Sequence, residues 1–262
     1  MELDGNSMIF ETHAHYDDEQ FDMDRDALLA SMEEGGVGAI VNVGASIESS
    51  RTSISLAEAY PFIYAAVGVH PDHAGELGEE SFRELRGLCG RDKVVAVGEI
   101  GLDYYWDEAP REVQKKWFVR QIELARESSL PVIVHSRDAA ADTLEIMQSH
   151  ARGLMGVIHC FSYSKELARE YVKMGFFIGV GGVVTFKNGR RLKEVVEDIS
   201  LSSIVLETDC PYLAPVPNRG KRNSSLNLPY VVKEIAEIKG ISCEEVVAQT
   251  EKNARILYGM RD

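Results

Sequence analysis

Apolar residues in this chain come in short blocks, and between the blocks they recur at spacings of three and four residues. The first block is Met8, Ile9 and Phe10; a segment of helical composition over 24–34 follows, stops at Gly35 and Gly36, and gives way to a block over 39–43. The alternation continues with a helix expected over 49–59, a strand over 62–69, a helix over 81–89 and a strand over 94–97. Over 113–125, Val113, Trp117, Phe118, Ile122 and Ala125 share one helical face. Strands are then expected at 132–134, 156–158, 176–180 and 204–206, with helices near 139–150, 164–174 and 190–198. After residue 226 two helices close the pattern; the second opens with Ser242 and Glu245 in capping-box spacing and buries Val246, Val247, Ala254 and Leu257.

The strand blocks are β-branched runs without polar alternation, the signature of strands covered on both faces, which occur mostly in parallel sheets. Eight strand-and-helix units in a chain of 262 residues fit a closed TIM-type (β/α)8 barrel of the α/β class better than an open sheet. No GxGxxG or P-loop follows the first strand. No linker rich in Gly, Ser or Pro interrupts 8–262, so one domain is expected; residues 1–7 read as a leader, unstructured or not native.

Composition narrows the function classes. At 45% hydrophobic and 27% charged residues the chain is neither disordered nor fibrous. It has no apolar run of about 20 residues and no basic-then-apolar start, which predicts a cytoplasmic protein without membrane contact. The four cysteines, Cys89, Cys160, Cys210 and Cys243, lack CxxC spacing and are expected to be reduced packing residues. A net charge of -14 repels polyanions from most of the surface, so any nucleic acid must meet a local basic patch. The candidate is RGKR at 219–222, with Lys187, Arg190 and Arg191 upstream.

In barrels of this kind chemistry gathers where strands end. The first strand runs into ETHAHYDD, and a period of two points Glu11, His13 and His15 the same way. The third strand leads to His70, the fourth to Glu99, the fifth to His135 and Arg137, the sixth to His159, and the eighth to Glu207 and Asp209. One such histidine is usually a satisfied core residue, and one such carboxylate a helix cap. Together at one rim they are costly unless cations or partners compensate them.

The strings HAH at 13–15, VGVHP at 67–71, GEIGLDYY at 98–105, HSRDA at 135–139, HCFSYS at 159–164, ETDCPYLAP at 207–215 and RGKRN at 219–223 resemble the TatD family of metal-dependent hydrolases. The resemblance implies two divalent ions, zinc, manganese or magnesium. His13, His15, Glu99 and Asp209 would hold one, and Glu99, His135 and His159 the other, with Glu99 bridging. It also implies hydrolysis of DNA or a related phosphodiester, with no obligate protein partner evident. Three departures stand out: Glu11 replaces a shorter acid, His70-Pro71-Asp72-His73 replaces an HPH string, and Tyr163 replaces a glycine.

Two cations about 3.5 to 4 Å apart can acidify water and hold both oxygens of an in-line displacement at phosphorus. Asp209 could then take the proton, the resemblance gives Glu99 to both ions, and His70, Arg137, Arg219, Lys221 and Arg222 are expected to meet substrate. Two other classes compete: an ester or amide hydrolase, acting for example on aminoacyl-tRNA, and a non-catalytic metal-binding scaffold. The basic loop favours a deoxyribonuclease acting from an end; an intact ligand set speaks against the scaffold.

Overall fold

The computed structural model describes residues 7–260, so the leader expected over 1–7 lies, apart from Ser7, outside the described residues. Eight parallel strands alternate with helices in one sheet of order β1 to β8, the (β/α)8 barrel arrangement. The strands are β1 (Ile9–Ala14), β2 (Val37–Val43), β3 (Ile63–Val67), β4 (Val94–Asp103), β5 (Val132–Arg137), β6 (Gly156–Ile158), β7 (Phe176–Val180) and β8 (Ile204–Leu206). The helices are α1 (Arg25–Ala30), α2 (Ile47–Ala59), α3 (Glu79–Leu88), α4 (Arg111–Ser128), α5 (Ala140–His150), α6 (Lys165–Lys173), α7 (Arg190–Asp198), α8 (Leu228–Lys239) and α9 (Cys243–Leu257). The chain clusters into two compact units, one of residues 1–41, 160–172 and 177–262 and one of 42–159 and 173–176.

In the first unit every residue of β1 is buried, as its unbroken apolar start requires. An isolated parallel bridge joins Ala14 to Cys210, where the chain continues past β8. The amide of His15 donates to Cys210 O at 2.9 Å and that of Asp209 to His13 O at 3.0 Å, which fixes the register of the two strand ends. Helix α9 opens with the expected capping box, Ser242 and Glu245 exchanging hydrogen bonds. It buries Val246, Val247, Ala254 and Leu257. Its Asn253 donates to Leu201 O and Ile204 O at 2.8 and 2.7 Å, and beyond it Tyr258 OH donates to Thr12 O at 2.8 Å.

In the second unit two elements differ from the sequence expectation in ways that matter to the site. β4 runs ten residues rather than ending at 97, with a register irregularity between Val97 and Ile100 against β5. Glycines permit this course. Gly101 has φ +147°, and a Cβ there would collide with the His135 carbonyl; Gly68 lies against the Gly98 backbone, 2.6 Å from where its own Cβ would stand to the Gly98 carbonyl carbon. β5 likewise extends to Arg137, which pairs in register with Asp103. Glu99 therefore sits within a strand, not after it. In the first unit α1 is shorter than the stretch 24–34, because Ser31 turns its hydroxyl back onto Leu28 O and the chain leaves the helix in turns toward Gly35 and Gly36.

Candidate active site

Among the described residues, both units bring metal-ligand side chains together. In the first, His13 and His15 leave β1 on one face, as period two dictates, and their Nε2 atoms lie 3.1 Å apart. Asp209 Oδ1 stands 3.3 Å from His15 Nε2 and 3.7 Å from His13 Nε2. Asp209 takes a left-handed backbone, φ 57°, a region aspartate tolerates better than most residues. Three donor atoms thus converge at the joined ends of β1 and β8.

Behind them, Glu11 is fully buried and faces a ring of donors. Its Oε1 accepts from the His13 and Thr208 amides at 3.1 and 2.9 Å, and its Oε2 lies 2.7 Å from Thr208 Oγ1 and 2.9 Å from Ser225 Oγ. Burial pushes its carboxyl up to about 8, against the pull of those donors. Glu11 thereby braces the end of β1 against Thr208 and Ser225.

In the second unit Glu99 Oε1 lies 2.9 Å from His135 Nδ1 and 2.7 Å from His159 Nε2, and those two nitrogens are 3.4 Å apart. The other His135 nitrogen, Nε2, lies 2.9 Å from Asp103 Oδ2. Burial opposes charge on His135, but the carboxylates of Asp103 and Glu99 outweigh it and its pKa is raised. A histidine that turns one nitrogen to the cluster while a carboxylate fixes the other is the arrangement of a metal ligand with an oriented tautomer. His70 Nε2 stands 3.8 Å from Glu99, and the His70 and His135 rings meet edge-on at 4.4 Å. Burial first, and repulsion from His135 next, push the His70 pKa down to about 3, so this side chain stays neutral. Its Nδ1 accepts from the Asp72 amide at 3.2 Å, while His73 is an exposed partner of Glu76 at 3.0 Å.

The chemistry of both donor sets, imidazole nitrogens with one carboxylate each, fits divalent zinc or manganese and admits magnesium less readily. Sequence reasoning missed Asp103 as a participant, because ending the fourth strand at 97 left it in a loop; extending period two from Glu99 would have put both on one face. Glu207, noted among the ionisable strand ends, is 1% exposed and accepts from the Cys160 amide. Cys210 is buried and Cys160 partly so, and among the described residues none of the four cysteines is in a disulfide.

The expected substrate contacts are not alike. Arg222 forms a two-pronged ion pair with Asp24 at 2.7 and 2.6 Å and donates to Gln20 O at 2.6 Å, so its charge is already matched. Arg219 lies over the Phe186 ring at 4.3 Å. Lys221 is exposed, and among the described residues its ammonium has no carboxylate partner. Arg190 and Arg191 line a cleft of about 610 Å³ with Ser162, Ser164 and Lys165, and Arg190 is paired to Glu194 at 2.7 Å. The Arg137 guanidinium lies 3.9 Å from the centroid of the Tyr105 ring.

Known proteins share this architecture and sequence. The chain is 43% identical, over 96% of its length and 99% of the relative's, to the metal-dependent hydrolase YabD of Bacillus subtilis (strain 168). It is 34% identical, over 95% of its length and 97% of the relative's, to the 3'-5' ssDNA/RNA exonuclease TatD of Cronobacter sakazakii. The crystal structure of YJJV, a TatD homologue from Escherichia coli K12, superposes with a TM-score of 0.90 at 32% identity, covering 97% of this chain and 98% of that one. Residues 10–259 match the family described as TatD related DNase, and the chain belongs to that family as a metal-dependent hydrolase.

Proposed function

We propose that this chain hydrolyses phosphodiester bonds in single-stranded nucleic acid, DNA first, working from an end. The observation that supports it most is the convergence of Glu99, His135 and His159 with His135 held by Asp103, because a single His-rich cluster so braced is built to keep a Lewis acid in place. The basic residue Lys221 and the relative named as a 3'-5' ssDNA/RNA exonuclease favour a polynucleotide over a small ester. His13, His15 and Asp209 would hold one cation, and Glu99, His135 and His159 a second. Divalent ions bound there supply Lewis acidity toward a phosphoryl oxygen and lower the pKa of water. The protein's own residues do the rest: Asp103 fixes the His135 tautomer, Asp209 accepts the proton of the attacking water, and neutral His70 donates to a substrate oxygen.

The test is turnover of a single-stranded oligonucleotide, a chromogenic phosphodiester and an aminoacyl ester, side by side with zinc, manganese or magnesium. Hydrolysis of the first two, lost on chelation, is expected; cleavage of the ester alone would replace this reading with a deacylase. In the same assay Glu99→Ala is expected to lose both activity and bound metal by elemental analysis. Asp209→Asn is expected to lose roughly 10²-fold or more in turnover while keeping part of its metal.

A further inference from the structure

Tyr105 and Trp106 follow β4 after Tyr104, and both are more than half exposed, at 55% and 58%. Isolated exposed aromatics are common, but these two are adjacent, edge-to-face at 5.0 Å and 87°, and held in place. Asp103 Oδ1 accepts from both of their amides at 2.9 Å, while its Oδ2 holds His135. One buried carboxylate thus ties the aromatic turn to a cluster histidine. Above the Tyr105 ring lies Arg137, at 3.9 Å, with Trp106 at 5.7 Å. Among the described residues the Arg137 guanidinium has no carboxylate partner, unlike Arg120, Arg169 and Arg222 in this acidic chain. With its face on Tyr105, its N–H edges remain available to an anion.

We propose that Tyr105 and Trp106 form a stacking platform for an unpaired nucleobase, with Arg137 gripping the phosphate that accompanies it. Resting on the phosphodiesterase reading above, this names the feature of substrate the site selects: a base whose face is free, which a duplex does not offer. Aromatic rings stack on any base, so the platform confers preference for single strands without sequence preference. An aliphatic or small ester substrate has nothing to place there.

The chain has two tryptophans, and the other, Trp117, is 3% exposed, so fluorescence change on ligand binding reports on Trp106. The metal-loaded protein is titrated with a cleavage-resistant phosphorothioate oligothymidylate and with an abasic strand of the same length. Quenching by the first and not by the second is expected; equal quenching by both overturns the platform. In parallel, kcat/KM is measured for an oligothymidylate and for bis(p-nitrophenyl) phosphate in the native, Trp106→Ala and Trp106→Phe proteins. Trp106→Ala is expected to lose about tenfold more on the oligonucleotide than on the small diester, with Trp106→Phe restoring most of it. Equal losses on both substrates would mean that the turn only braces His135 through Asp103, and the proposal falls. If the native protein cleaves no phosphodiester at all, the phosphodiesterase reading fails, and the quenching comparison still decides the platform by itself.

Discussion

Glu11 shows how a buried acid can hold a strand end through main-chain and hydroxyl donors. Its Oε1 meets two main-chain N–H groups and can only accept, whereas its Oε2 meets two hydroxyls, which accept as well as donate. A proton on Oε2 is therefore accommodated, in keeping with a carboxyl raised from 4.5 to about 8. The native protein keeps that proton between the two values while the unfolded chain has released it, so this group's contribution to stability falls as pH rises through that window. Thermal melts of chelator-treated protein are expected to show the fall. Glu11→Gln, whose amide can donate where Oε2 stands, should remove it while keeping the fold. Glu11→Leu strands buried donors and should cost about 1–3 kcal/mol for each group left unpaired. Parallel pH curves for native and Gln proteins would refute the assignment. From sequence, period two placed Glu11 beside His13 and His15, but its partners Thr208 and Ser225 lie 197 and 214 positions away, and no local pattern announces such a distance.

At the scale of elements, the strands and most helices were legible because each buries an apolar block or one apolar face. β4 was not fully legible: Gly98 and Gly101 dilute its apolar signal, yet their missing side chains are what let it continue beside β5 to Asp103. The basic loop was legible as charge and not as structure. Its Asn223 amide donates to Thr208 O and Tyr212 O at 3.2 and 2.8 Å, and Arg222 is matched to Asp24, so one of the loop's three cations expected to meet substrate belongs to a clamp. Asp24 is held below its ordinary pKa chiefly by the Arg222 hydrogen bond. Lys221→Ala is expected to flatten the salt dependence of oligonucleotide binding by a log–log slope of about 0.7, the release accompanying one single-strand phosphate contact. Arg222→Ala should instead lower the melting temperature and leave that slope in place. A slope change from Arg222→Ala as large as that from Lys221→Ala would return both residues to the same role.

Across the whole molecule, the alternation of eight strand-and-helix units carried the fold class, and what it could not convey was how the first unit is assembled from distant stretches. Tyr258 stacks near Phe10 at 6.0 Å and donates to Thr12 O, tying the residues after α9 to β1. Tyr258→Phe keeps the ring and removes the donor, and denaturant titration should show a loss of about 1 kcal/mol. An unchanged midpoint would mean that water or another group takes over that carbonyl. Removing the ring altogether, as in Tyr258→Ala, should cost more than the hydroxyl alone. The order in which a ribosome delivers the chain gives this wiring a further meaning. His13 and His15 come before the second unit in the chain and Asp209 and the bracing Tyr258 come after it, whereas His70, Glu99, His135 and His159 belong to a stretch that is almost continuous. Domains generally form as they emerge, so during synthesis the cluster of the second unit takes shape before that of the first, which waits for Asp209 to be delivered.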